Sequence, residues 1–153
     1  MAVTNGHISS PRFPYVPSHI HVRGQSADVD ALLDTGFDGD VAVPADFVAG
    51  VGPPDGISRW VLADGSPVHV PYYIGTVQLD GLGPFPALVI VLGDEPLVGA
   101  GACRHVTLVL DHARRVVVQP SGCSPDLLFD LRERYGAQPS TSNRASTTIR
   151  PSA

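Results

Sequence analysis

The chain has 153 residues, with ten Lys and Arg against fifteen Asp and Glu, for a formal charge of −5 and no basic run, which argues against a nucleic-acid or anionic-membrane surface. Charged residues are only 16% of the sequence while 16 glycines and 15 prolines punctuate it, so the composition is that of short strands and tight turns in one all-β domain, not of long helices. A peptide or small molecule is the expected ligand. Met1 to Gly6 has neither a basic start nor an apolar stretch, and no segment reaches the ~18 apolar residues of a membrane span, so a cytoplasmic location is the expectation.

From Pro14 to Asp34, apolar and polar residues alternate through Ile20, Val22, Ala27, Val29, Ala31 and Leu33 around Arg23-Gly24-Gln25-Ser26, the pattern of a β-hairpin running into Asp34. Val41 to Val43 is a short strand and Pro53-Pro54-Asp55-Gly56 a loop. Trp60-Val61-Leu62 and Val68-His69-Val70 flank Ala63-Asp64-Gly65-Ser66, where Asp-Gly supplies the chemistry of a protruding hairpin turn. Strands follow over Val70 to Leu79 and Phe85 to Leu92, the second apolar on both faces and so central. After Leu97-Val98-Gly99 comes a short helix over Ala100 to His105, then strands Val106 to Leu110 and Arg114 to Gln119, where a barrel is expected to close. Ser124-Pro125-Asp126 reads as a helix start with Leu127, Leu128 and Leu131 on one face. The expected organisation is thus a β-domain over 1–122, a C-terminal helix over 123–136 and a disordered Ser/Thr/Pro-rich tail over 137–153. Cys103 and Cys123 read as free thiols, since their spacing fits no zinc pattern and a lone bridge is not expected.

The chemistry-bearing string is Ala31-Leu32-Leu33-Asp34-Thr35-Gly36. A carboxylate at a strand end needs glycine beside it for the backbone to turn and for a peptide to approach, and a threonine hydroxyl can brace the loop. Together with the hairpin at Leu62-Ala63-Asp64-Gly65-Ser66 and the later Pro96-Leu97-Val98-Gly99, helix and strand to Asp111, it resembles the retropepsin-like aspartic peptidases of clan AA. It is most similar to their small bacterial and archaeal single-domain members. The resemblance spans residues 14 to 120 and implies a closed β-barrel with a flap hairpin and a short helix after the Leu-Val-Gly segment.

The resemblance also implies a mechanism. In that family two aspartates about 3 Å apart share one proton, one activating a water and the other polarising the scissile carbonyl. The motif around Asp34 does not recur, so the expected peptidase is a homodimer acting on a peptide or protein, with no cofactor and no metal. Thr35 would brace the two active-site loops across the dimer axis and Gly36 would bond substrate backbone. Phe37 would complete the active-site loop, Ala63, Asp64 and Gly65 would form the flap tip, and Leu97, Val98 and Gly99 would form the ψ-shaped loop under the catalytic strand. The chain departs from the family at Phe37, where many relatives carry Ala or Ser, and at Ala100 and Gly101, where retroviral members carry Arg and then Asn or Asp. The ion pair those residues make there, to a position like Asp38, is unavailable.

Other readings stay open on the residues themselves. Asp34 can simply end a strand and cap a turn. The fold can serve as a non-catalytic dimerisation or peptide-binding module. His19 and His21 share one strand face in two-ligand metal geometry, with His7, His69, His105 and His112 elsewhere in the chain. Phe37, Trp60, Tyr72 and Val89 are the candidates for lining a pocket.

Overall fold

The computed structural model describes residues 12–121. Within them run β1 (Tyr15–Val22), β2 (Gln25–Asp34), β3 (Val41–Val43), a 3-10 turn (Ala45–Val48), β4 (Gly56–Val61) and β5 (Pro67–Leu79). Then follow β6 (Leu82–Val91), β7 (Leu97–Gly99), the four-residue helix α1 (Ala100–Cys103), β8 (Val106–Asp111) and β9 (Arg115–Pro120). The expected C-terminal helix and tail, with Cys123 and His7, lie outside the described residues. None of the described helices is long and apolar enough to cross a membrane.

Two-residue turns set the registers of the longest hairpins. Arg23 and Gly24, at φ 45° and 85°, join β1 to β2 so that Val22 faces Gln25. Asp80 and Gly81, at φ 48° and 80°, join β5 to β6 with Leu79 facing Leu82. These left-handed pairs match the natural twist of antiparallel strands, and glycine takes the second position without strain. The second turn starts β6 three residues before the Phe85 expected from sequence.

Seven strands are hydrogen-bonded in the order β1-β2-β7-β3-β6-β5-β4, and an added pairing of β1 with β5 closes six of them into a barrel. Closure therefore falls at β1 and β5, not at β8 and β9 as the chain order suggested. The length of β5 decides this. Its 13 residues exceed what one neighbour can use: Pro67 to Tyr72 pair with β4, and on the same edge Thr76 to Leu79 pair with β1. At the crossover Gly75 lets the His21 carbonyl come so close that a Cβ there would collide with it. β8 and β9 form a separate two-stranded ribbon, packed on the barrel through Val106, Leu108, Val116 and Val118.

Alternation divides the apolar residues between two layers. Inside the barrel lie Val16, Ile20, Val22, Ala31, Leu33, Val41, Val43, Tyr73, Val77, Val89 and Val98. A second cluster, Phe37, Ala42, Trp60, Val70 and Ile90, covers part of the outside. Ala87 to Val91 feed both layers, Val89 inward and Ile90 outward and both fully buried, which is why that strand reads as apolar on both faces and sits between β3 and β5.

Candidate functional site

Asp34 is the last residue of β2, where the strand runs parallel to β7 with Leu32 opposite Leu97 and Asp34 opposite Gly99. Partners in a ladder point to one side of the sheet, so Asp34 faces the same way as Leu32 and Leu97 and away from the buried Leu33. The same outer face continues through Ala42, opposite Leu97, to Ile90 and Tyr72, and out along the hairpin to Val68 opposite Trp60. One half-buried carboxylate thus stands at the end of an apolar layer in which Ala42, Ile90 and Trp60 are buried and Leu32, Tyr72 and Leu97 half-buried.

The loop after Asp34 is tightly held. The Gly36 N–H donates to Asp34 Oδ1 at 2.9 Å, and the Phe37 N–H to the Asp34 carbonyl at 3.2 Å. Thr35 is exposed at the apex, whereas the Phe37 ring turns back and is wholly buried. Beyond it the loop is laced to the β7–α1 junction: Gly99 N–H to the Asp40 carbonyl at 2.9 Å, Ala100 N–H to the Phe37 carbonyl at 2.7 Å, and Gly101 N–H to the Gly39 carbonyl at 3.0 Å. The Asp40 carboxylate adds a fourth tie, accepting the Leu88 N–H at 2.8 Å. Glycine at 99 and 101 is required for this crossing, because a Cβ on the first would strike the Gly39 and Phe37 carbonyls and on the second the Asp40 carboxylate. The resemblance marked Asp38 as the position whose loop-supporting ion pair is unavailable in this chain. In the structure the bracing acid is Asp40, and its only sequence signal is an acid directly before the apolar run Val41-Ala42-Val43.

The hairpin β4–β5 meets this loop through Trp60, whose ring lies 5.3 Å from that of Phe37 at an interplanar angle of 50°. Trp60 is only 2% exposed, and a Cβ on Gly39 would come within 2.9 Å of its ring. At the hairpin tip Ala63, Asp64 and Gly65 are exposed and bonded within the turn. Asp64 Oδ1 accepts the Ser66 N–H at 2.8 Å and the Ser66 hydroxyl at 2.6 Å, and those bonds, the hydroxyl first, hold the Asp64 pKa below the ordinary carboxylate value. Gly65 turns the chain at φ 85°.

The structure thus gathers Asp34, Gly36, Phe37, Leu97 and Gly99 into one locality, with Trp60 seated on it. Val98 points the other way into the barrel core, as does Val89, so neither lines the outer face. Among the pocket candidates Tyr72 is half-buried on that face, while Phe37 and Trp60 fill the space beside the loop instead of lining a hollow. A concavity of about 400 Å³ lies elsewhere, among Pro17, Ser18, His19, Asp28, Asp30 and Asp80, and does not include Asp34. His19 and His21 do share the outer face of β1, but His19 Nδ1 is engaged with Asp28 Oδ1 at 2.7 Å and His21 Nε2 accepts the Gly24 N–H at 3.4 Å. Among the described residues no three His, Cys, Asp or Glu are grouped to hold a metal ion.

Compared with known proteins, the sequence matches no family model and no curated protein.

Proposed function

We propose that this chain is one half of a homodimeric aspartic endopeptidase of the retropepsin-like kind, with Asp34 as its catalytic residue. The observation that carries the reading is a half-buried aspartate within Asp-Thr-Gly, at the parallel junction of β2 and β7, presented on the apolar outer face of a closed barrel. That placement suits a peptide laid over the half-buried Leu32, Leu97 and Tyr72 of that face, with a scissile carbonyl above the acid. Glycine at 36 leaves the approach open, and the Gly36 N–H fixes one carboxylate oxygen. In this reading the β4–β5 hairpin is the flap, Thr35 at the exposed apex meets its mate across the two-fold axis, and the crossing of the Asp34 loop with 97–101 is the ψ-shaped loop.

With two Asp34 carboxylates sharing a proton, the ionised one takes a proton from water as the oxygen attacks the peptide carbonyl carbon. The neutral one gives its proton to the carbonyl oxygen. The tetrahedral adduct collapses with proton transfer to the departing amine, and the shared proton is restored to the pair. The titration belongs to the pair and produces a bell-shaped pH profile.

The test is cleavage of an unfolded protein at mildly acid pH by purified protein. Hydrolysis blocked by a statine-type inhibitor, and lost in Asp34→Asn with dimerisation intact, supports the proposal. Hydrolysis that survives Asp34→Asn, or a monomer with full activity, sinks it, and loss on chelation points to a metal instead. One observation favours a second reading, a non-catalytic dimerisation or peptide-binding module: Phe37 and Trp60 occupy the space next to the Asp34 loop, while Ile74 further along the face is 66% exposed. Inactivity at every pH with intact peptide binding selects that alternative.

A further inference from the structure

Arg23 sits in the two-residue turn between β1 and β2 and reaches across to the segment that enters β4. Its Nη1 donates to the Pro53 carbonyl at 2.5 Å and its Nη2 to Asp55 Oδ1 at 2.5 Å. The second oxygen of Asp55 accepts the Ile74 N–H at 2.7 Å, and the Asp55 N–H donates to the Tyr72 carbonyl at 2.9 Å. The Tyr73 hydroxyl bonds the Gly52 carbonyl at 2.9 Å, with the Arg23 guanidinium 5.4 Å from the centre of that ring. Three separate segments therefore converge on one ion pair: a turn of the barrel wall, the entry to β4, and β5 where it leaves β4 for β1. Nothing in the sequence pattern links these positions, which lie 32 residues apart.

We infer that Arg23 and Asp55 are positioning residues for the β4–β5 hairpin, clamping its root to the barrel so that Trp60 stays seated on Phe37 beside the Asp34 loop. The lever makes this effective. Trp60 lies five residues beyond Asp55, about 17 Å along an extended strand, so a swing of about 10° at the root displaces it by about 3 Å. Both side chains of the clamp are roughly one-third exposed, so salt reaches the pair and weakens it. The physics concerns the hairpin alone. The consequence that release of the clamp opens the site rests on the peptidase reading.

Trp60 is the only tryptophan of the chain, so its emission reports the seat directly. In Asp55→Asn and Arg23→Gln, with far-UV circular dichroism unchanged, its emission shifts to the red and its quenching constant with acrylamide rises about twofold or more. Wild type moves the same way in about 1 M sodium chloride, while Asp55→Asn responds no further. Folded variants with wild-type emission and quenching overturn the inference. If the variants do not fold, wild-type Trp60 that ignores salt overturns it equally. Where the wild type cleaves peptides, the variants raise KM more than they lower kcat. If it cleaves none, the peptidase reading fails, and the Trp60 measurements still decide the clamp.

Discussion

Replacing Gly99 by alanine isolates the physics that holds Asp34 in place. Gly99 has φ −98°, open to any residue, so what glycine supplies there is room and not conformational freedom. An added Cβ would lie 2.5 Å from Phe37 Cδ1 and 2.6 Å from the Phe37 carbonyl oxygen, and closer still to the Gly39 carbonyl. Two of these neighbours are backbone atoms that cannot yield without breaking the bonds from Gly99, Ala100 and Gly101 into residues 37–40. Overpacking of a tight site costs about 1–3 kcal/mol, and each lost hydrogen bond about 1 kcal/mol more, for roughly 3–4 kcal/mol in all. In a chain of this size that lowers Tm by on the order of 10 °C or more. The control is Gly93→Ala, where no atom lies within 4 Å and only φ 82° opposes the methyl, at about 1 kcal/mol. Urea unfolding followed by circular dichroism measures both. If Gly99→Ala proves no more harmful than Gly93→Ala, the crossing of the Asp34 loop and the β7–α1 junction is not as close as described.

The remaining predictions use the same contacts. Phe37→Ala empties a fully buried site against Trp60 and costs about 3–5 kcal/mol by urea titration, with a red shift of Trp60 emission; a blue shift or a loss under 1 kcal/mol contradicts the packing. The Asp55 pKa is lowered, first by the Ile74 N–H and then by Arg23, so its stabilising contribution is full above the unfolded carboxylate value of 3.8 and is lost as pH falls through the lower folded value. Asp55→Asn should accordingly flatten the acid limb of a plot of stability against pH below about 4, and an unaltered limb refutes that role. Burial pushes the Cys103 thiol up to about 11, so at pH 8 it reacts with a disulfide reagent far more slowly than in the urea-unfolded chain, whereas equal rates would show it accessible and ionisable.

Much of the architecture was legible along the chain because it is local. Alternation through Ile20, Val22, Ala27, Val29, Ala31 and Leu33 shows which side of each strand is buried, and two-residue turns with glycine fix where the strands fold back. The start of β6 was less legible, because Gly83 and Pro84, residue types that disfavour a strand interior, follow the Asp80-Gly81 turn directly. The apolar run from Ala87 to Leu92 announced a strand buried on both sides. The Asp34 motif stood out because Asp, Thr and Gly after an apolar strand is a pattern of residue types, visible without coordinates.

What the chain by itself determined is therefore the β class, the strands, the hairpins and the position of Asp34 at a strand end, all set by neighbours in sequence. Tertiary structure decided which edges meet. Closure through β1 and β5 depends on the length of β5 and on Gly75 admitting the His21 carbonyl, and the bracing of the Asp34 loop depends on Asp40 reaching the Leu88 N–H, 48 residues away. The clamp of Arg23 on Asp55 is of the same kind. Period-two patterning specifies the face a side chain takes but not the strand beside it, because pairing between distant segments is chosen by the packing of the whole barrel.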